Sequence, residues 1–201
     1  MLDLYTAATP NGKKIPIALA ELELPYELHV IDFAKKQQKS AAFLALNPNG
    51  KIPVLDDDGF VLYESAAILK YLARKKPDLG LVPLDPKGIA RLDQWLFWWA
   101  AHLESAIFSL TIEKFIKPFL GEEGNDASIC KEASKNVDRY LPILEKELGD
   151  RKFLLGDQTI FDFDCAPWLE LAPGVGIDMS KYPGLQAWLG RMQQKPYWKD
   201  A

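Results

Sequence analysis

NPNGKIPVL, residues 47–55, is the stretch on which the first third of the chain turns. Asn-Pro-Asn-Gly signals a turn, and Pro53 stands at the head of an apolar run. X–Pro bonds alone reach cis at modest cost, so Ile52–Pro53 is a candidate cis bond at a strand entrance. Such a bond turns the N–H and C=O of Ile52 outward, free to pair with an extended peptide as with an added strand. Beyond it, KIPVLDDDGFVLYES has two apolar runs around Asp-Asp-Asp-Gly, which predicts a hairpin.

Working outward, SAAILKYLARKKP predicts a helix ended by basic residues and Pro77, and SAAFLALN a short helix before the turn. Further back, LDLYT and YELHVIDF alternate as strands. KKIPIALAELEL between them carries Ile15, Leu19 and Leu22 at helical spacing. Pro16 is tolerated if that helix begins near Asn11 or Gly12, because a first turn has few N–H bonds to lose. The order is βαβαββα.

KKPDLGLVPLDPKG is a linker by composition, and every periodic segment after it is helical. Asp85 followed by Pro86 predicts an N-cap with proline at the first helical position. The helix it opens carries Leu92, Trp95, Leu96, Trp99 and Leu103 on one face. A second begins near Ile129, with apolar residues at 129, 133, 137, 140, 141, 144 and 148 and a kink expected at Pro142. TIFDFDCAPWLELA and YPGLQAWLGRMQQ predict two more. The expected domains are 1–77, α/β, and 86–201, all-helical, joined by 78–85.

The 201 residues carry 24 Lys and Arg against 28 Asp and Glu, a formal charge of −4, which argues against a nucleic-acid surface. No apolar run approaches a membrane span and no basic-then-apolar leader opens the chain. Cys130 and Cys165 make no disulfide framework. A cytoplasmic protein is expected.

Four segments of the first domain can converge. Thr9-Pro10-Asn11-Gly12 starts a helix directly after a strand, where unpaired N–H groups and the helix dipole favour thiolates and anions. Redox proteins of this build place Cys-x-x-Cys there, and this chain has no cysteine at that point. KKQQKS holds Gln37, Gln38 and Lys39. NPNGKIPVL holds Lys51, Ile52 and Pro53. YESAAI puts Glu64 and Ser65 at a helix start, where N–H groups suit a carboxylate.

NPNGKIPVL followed by ESAAILKYLA, after a βαβ unit and before a helical domain, resembles the cytosolic glutathione transferase family. LDPKGIARLDQWL and GDQTIFDFD extend the resemblance over essentially the whole chain. It implies a thioredoxin-like first domain and glutathione as co-substrate. Ile52 would pair with the cysteinyl backbone, Glu64 and Ser65 would take the γ-glutamyl end, and Gln38, Lys39 and Lys51 would lie near the glycine carboxylate. Thr9 and Asn11 fall where relatives place the residue facing the thiol, and both can donate to it. TPNG with a nearby lysine is similar to the bacterial and fungal branch near the yeast nitrogen-regulator type, the nu-type members. The resemblance implies transfer of the glutathione thiolate to electrophilic, mostly apolar small molecules by a homodimer. Reduction of disulfides or peroxides, or a non-catalytic glutathione-fold binding module, are its alternatives.

Three features depart from the family. Tyr5 lies inside a strand and is not assigned the role of a catalytic tyrosine. GDQTIFD has polar Gln158 where a staple residue belongs, although Thr159 and Asp162 keep capping-box spacing. QWLFWWAAHLES is aromatic where some relatives have polar glutathione contacts. Trp95 and Trp99 fit a core stripe, and only Trp98 and His102, on a neighbouring face, compete for a place in an electrophile pocket. His29 is read as structural, Asp56-Asp57-Asp58 as a solvated turn before Gly59, and no metal is assigned.

Overall fold

The computed structural model describes residues 1–199, so residues 200 and 201, read from the sequence as the end of the helical domain, lie outside the described residues. The chain divides into two compact units, residues 1–82 with 196–199, and residues 83–195. The last turn, Pro196–Trp198, thus joins the first unit and not the helical stretch 86–201 expected from sequence.

In the first unit β1 (Leu2–Thr6), α1 (Pro10–Glu21), β2 (Tyr26–Val30), α2 (Ala41–Leu46), β3 (Val54–Asp57), β4 (Phe60–Tyr63) and α3 (Ser65–Arg74) follow the predicted order. The sheet runs β2-β1-β3-β4, with β1 parallel to β2 and antiparallel to β3, and β3 antiparallel to β4. This is the thioredoxin-like arrangement. Leu2, Leu4 and Thr6 point inward while Asp3 and Tyr5 stay half-exposed, the period-2 alternation of a strand with one covered face. Asp58 and Gly59 close the β3–β4 hairpin with positive φ at both positions, which suits the sheet's twist. Asp57, inside that acidic run, pairs with Lys75 and accepts from the Tyr71 hydroxyl, and Lys75 first and Tyr71 second hold its carboxyl below the usual range.

Helix α1 starts one residue earlier than the reading from Pro16 required. Thr9 caps it and Pro10 takes the first position, so Pro16 lies in the interior. There it has no N–H to donate to the carbonyl one turn back, a cost the buried face of Ile15, Ile17, Ala18 and Leu19 offsets.

The helical unit opens as predicted. Asp85 accepts from the N–H groups of Lys87 and Gly88 at 3.1 and 2.9 Å, and α4 (Pro86–Trp98) follows. The helical run then continues well past the predicted stripe. A π turn (Trp99–Leu103), α5 (Glu104–Thr111), a second π turn (Ile112–Ile116) and α6 (Lys117–Phe119) extend it. Leu92, Trp95, Leu96, Trp99 and Leu103 are all buried.

Asp126 caps α7 (Ala127–Leu148), which runs unbroken through exposed Pro142. Of its predicted stripe, Ala133, Val137, Leu141, Leu144 and Leu148 are buried, whereas Ile129 is exposed and Tyr140 half-buried. Ile129 lies in the first turn, ahead of the buried run, and Tyr140 stands beside the line of Val137, Leu141 and Leu144. Helix α9 (Pro183–Gln193) takes its cap from another helix: Glu145 of α7 accepts from the N–H groups of Gly184 and Leu185, each at 2.8 Å.

The centre of this unit is α8 (Ile160–Leu171), buried along ten consecutive residues from Ile160 to Leu169. Thr159 and Asp162 form the capping box. The Asp162 carboxylate, fully buried, also accepts from Leu154 N–H at 3.0 Å and Trp188 Nε1–H at 2.8 Å. Burial pushes its pKa up to about 6, against the pull of these donors. An unfolded Asp162 therefore releases its proton near pH 4 while the folded one keeps it to about pH 6. Stability from this group falls as pH rises through that window, by up to about 3 kcal/mol at about 1.4 kcal/mol per pH unit. Asp162→Asn removes the titration, so the parent's stability relative to the variant should drop between pH 4 and pH 7 in urea unfolding. An unchanged difference would mean the carboxyl is ionised throughout.

Candidate functional site

Three links bring the four predicted segments of the first unit together. The first is the end of β1 itself. β1 and β3 pair Tyr5 with Val54, so the antiparallel register carries Pro53 toward the point where β1 gives way to the Thr9 turn. The Ile52–Pro53 bond is cis, and Ile52 precedes the first strand residue, Val54, so the described β1–β3 ladder leaves it unused.

The second link joins NPNG to the Gln38–Lys39 turn. Gly50, at φ +61°, packs so closely that a Cβ there would lie 2.8 Å from the Gln38 carbonyl oxygen and 3.0 Å from Lys39 Nζ. Asn47 holds the other side of that turn. Buried to 3 % exposure, its Oδ1 accepts from Asn49 N–H at 3.0 Å and its Nδ2 donates to the Lys51 carbonyl at 2.8 Å. Lys51 and Ile52 are thereby fixed beside Gln38 and Lys39.

The third link was missed from sequence. Lys14, on α1, is completely buried, and its Nζ donates to Ser65 Oγ at 3.3 Å. A buried ammonium is costly and is kept where it has partners. Here it ties α1 to the start of α3. The lysine was visible in TPNGKK, but only the α1–α3 packing shows that it turns inward. Glu64 precedes Ser65 with φ +74°, a backbone conformation uncommon for a residue with a side chain and one that clusters at functional sites.

At the start of α1 the Thr9 side chain accepts from Gly12 N–H at 3.0 Å. The cap uses an oxygen lone pair and leaves the hydroxyl proton available. Thr9 and Asn11 are half-buried, so the site stays open to a ligand. Tyr5 stands apart from them: its ring stacks on His29 at 4.5 Å on the sheet face.

Trp98 and His102 belong to the helical unit. Their rings gather around Tyr140 of α7, at 5.8 and 5.0 Å between centroids. His102 and Tyr140 also line a groove of about 390 Å³ with Ser105, Ser109, Ile129 and Asn136.

The family model described as glutathione S-transferase, N-terminal domain, matches residues 1–74, and that for the C-terminal domain matches residues 107–196. The chain belongs to the glutathione S-transferase family. Glutathione S-transferase hmp2 of Hypomyces subiculosus is 32% identical over 208 residues, covering 100% of this chain and 97% of its own. Disulfide-bond oxidoreductase YfcG of Escherichia coli (strain K12) is 34% identical over 213 residues, covering 98% and 92%. A glutathione transferase structure from Burkholderia graminis, with two glutathione molecules bound per subunit, superposes with a TM-score of 0.87. It is 31% identical and covers 99% of this chain and 86% of that one.

The tightest constraint at the start of α1 is Gly12. A Cβ there would lie 1.9 Å from the Ala7 carbonyl oxygen and 2.7 Å from Thr6 Oγ1. Backbone cannot yield by that much, so Gly12→Ala should destabilise the first unit by about 1–3 kcal/mol or more and displace Thr9 and Asn11. Thermal unfolding within a degree of the parent would show that the turn has room for a methyl group.

Proposed function

We propose that this protein transfers the thiolate of glutathione to electrophilic, mostly apolar small molecules. The observation that carries the reading is the α1 N-terminus: a hydroxyl donor and an amide donor, and no cysteine, where a thiolate is favoured. Such a site holds a thiol that arrives with the ligand. Thr9 and Asn11 donate to the sulfur and lower its pKa from about 8.5, and Thr9 does so while still capping the helix. The sulfur then attacks an electrophilic carbon. A C–S bond forms and a leaving group such as chloride departs with its electron pair.

The rest of the ligand follows the converged segments. Ile52 pairs with the cysteinyl backbone, next to Pro53. Glu64 receives the γ-glutamyl ammonium, while Ser65, with Lys14 behind it, receives the carboxylate. Gln38, Lys39 and Lys51 serve the glycine carboxylate. In this reading residues 1–77 hold glutathione, 78–85 link, and the helical domain, through Trp98 and His102, meets the electrophile. We assign the chain to the nu-type branch on TPNG, and infer a cytoplasmic homodimer, whose mass light scattering at micromolar concentration would read.

A second reading, glutathione-dependent disulfide reduction, is favoured by the likeness to the YfcG oxidoreductase. The thiolate attacks one sulfur of a disulfide, a thiolate leaves, and a second glutathione resolves the mixed disulfide. Two glutathiones are oxidised for each disulfide reduced. Turnover of a chloronitrobenzene against that of a small disulfide, each with reduced glutathione, separates the two readings. Failure of both with glutathione still bound would leave a non-catalytic binding module and overturn them.

Thr9→Ala and Asn11→Ala should each raise the pKa of the bound thiol only partly, because the other donor remains. The double variant should return it toward about 8.5, with rates falling more at neutral than at alkaline pH. Ultraviolet absorbance of the bound thiolate against pH reads this directly. A double variant that keeps the parent titration would reduce the pair to a helix cap.

Ser65→Ala and Lys14→Met should each weaken glutathione binding by about 1.5–3 kcal/mol, the cost of losing a hydrogen bond to a charged group. Calorimetry with a glutathione analogue lacking the γ-glutamyl carboxylate should show little of that loss. Equal losses for both ligands would assign the effect to folding.

A further inference from the structure

We propose that Asp3, Glu27 and His29, on the face of the sheet at β1 and β2, bind a divalent transition-metal ion such as Zn²⁺. The strand register assembles the set. Asp3 pairs with Glu27 and Tyr5 with His29 across the parallel β1–β2 ladder, so residues two apart bring their side chains to the same face. His29 Nε2 lies 2.7 Å from Asp3 Oδ1 and 3.9 Å from Glu27 Oε1, and one ligand atom from each of the three falls within 4.8 Å of the others. Around a zinc ion with bonds of about 2.0–2.2 Å, ligand atoms stand about 3.4 Å apart, a spacing these distances bracket. Small side-chain shifts on two rigid strands suffice to admit the ion.

A plain histidine–carboxylate ion pair is the simpler account, and the charge around it argues against that account. The register also sets Asp3 opposite Asp56 of β3, so Glu27, Asp3 and Asp56 form a row of three carboxylates across three adjacent strands. Like charges directly opposite one another destabilise a sheet. Among the described residues no lysine or arginine bonds to Asp3 or Glu27, and His29 is the one basic side chain that reaches them. The row also bears on Tyr5: burial first, then the charges of Asp3, Asp56 and Glu27, push its hydroxyl pKa up.

The donor set suits a metal of borderline softness, which an imidazole nitrogen favours and Mg²⁺ does not. The Tyr5 ring, stacked on the imidazole at an interplanar angle of 16°, fixes the plane in which Nε2 is presented. Three protein ligands leave a tetrahedral position open to water. Because β2 is an edge strand of the sheet, an ion bridging it to β1 would pin that edge.

The test is calorimetric titration of ZnCl₂ into the full chain in chelator-free buffer at pH 7.5, with MgCl₂ in parallel. One Zn²⁺ should bind per chain and raise the melting temperature. His29→Gln and Asp3→Asn should each weaken it at least tenfold while their circular dichroism and glutathione affinity match the parent's. Co²⁺ in place of Zn²⁺ should give a visible absorption band that His29→Gln abolishes. The proposal fails if the parent shows no zinc binding below millimolar concentration or if His29→Gln binds as the parent does. It fails equally if Mg²⁺ binds as tightly as Zn²⁺, which would mark an acidic patch and not a ligand set.

Discussion

The first unit depends on how closely the start of α1 can approach the end of β1. Only a residue without a side chain fits against the Ala7 carbonyl, and Gly12 is that residue. The approach has two consequences. It brings the Thr9 hydroxyl within reach of the Gly12 N–H, which starts the helix at Pro10 and forces Pro16 into its interior. It also sets the helix N-terminus where β3 arrives with Ile52–Pro53, because β1 is the neighbour of β3. A side chain at residue 12 would separate these elements together.

Around that contact the site is assembled by buried polar residues that themselves face away from solvent. Lys14 reaches from α1 to α3, and Asn47 closes the turn that carries Lys51 and Ile52. Each is nearly or fully buried, and each makes a hydrogen bond to another segment of the first unit. Desolvating such groups costs free energy unless they are paired, so their pairing holds the loop and helix starts in one geometry. The residues left half-exposed, Thr9, Asn11, Gln38, Ile52 and Ser65, are then held in place without being used up.

Much of this was legible in sequence because it rests on local chemistry. Asp85-Pro86, the Thr159–Asp162 box and the Asp58-Gly59 turn are rules about neighbours, and the structure contains each of them. The cis bond at Ile52–Pro53 was legible because only proline makes it affordable. What the sequence hid were contacts between distant residues. Nothing near Lys14 announces Ser65, and nothing near Glu145 announces that it caps α9. The stripe on α7 failed at Ile129 and Tyr140 because periodicity describes a face, while burial depends on which neighbour reaches it. The two π turns likewise add a register shift that no apolar count between Pro86 and Phe119 reveals.

The same limit explains why His29 reads as structural from sequence and only the fold suggests it as a metal ligand. In a strand, a histidine between Leu28 and Val30 has only its i±2 neighbours for company, and one carboxylate there is unremarkable. The parallel ladder changes this by adding Asp3, and the antiparallel one adds Asp56 beside it. Charge that is dispersed along 54 positions of chain becomes a single row some 10 Å wide, at about 4.8 Å between strands. The hydroxyl and the amide at the start of α1 gain their neighbours by the same kind of route, since β3 brings Ile52 and Pro53 toward them from more than 40 residues away. In both places the sheet register, which no local pattern states, brings distant side chains together.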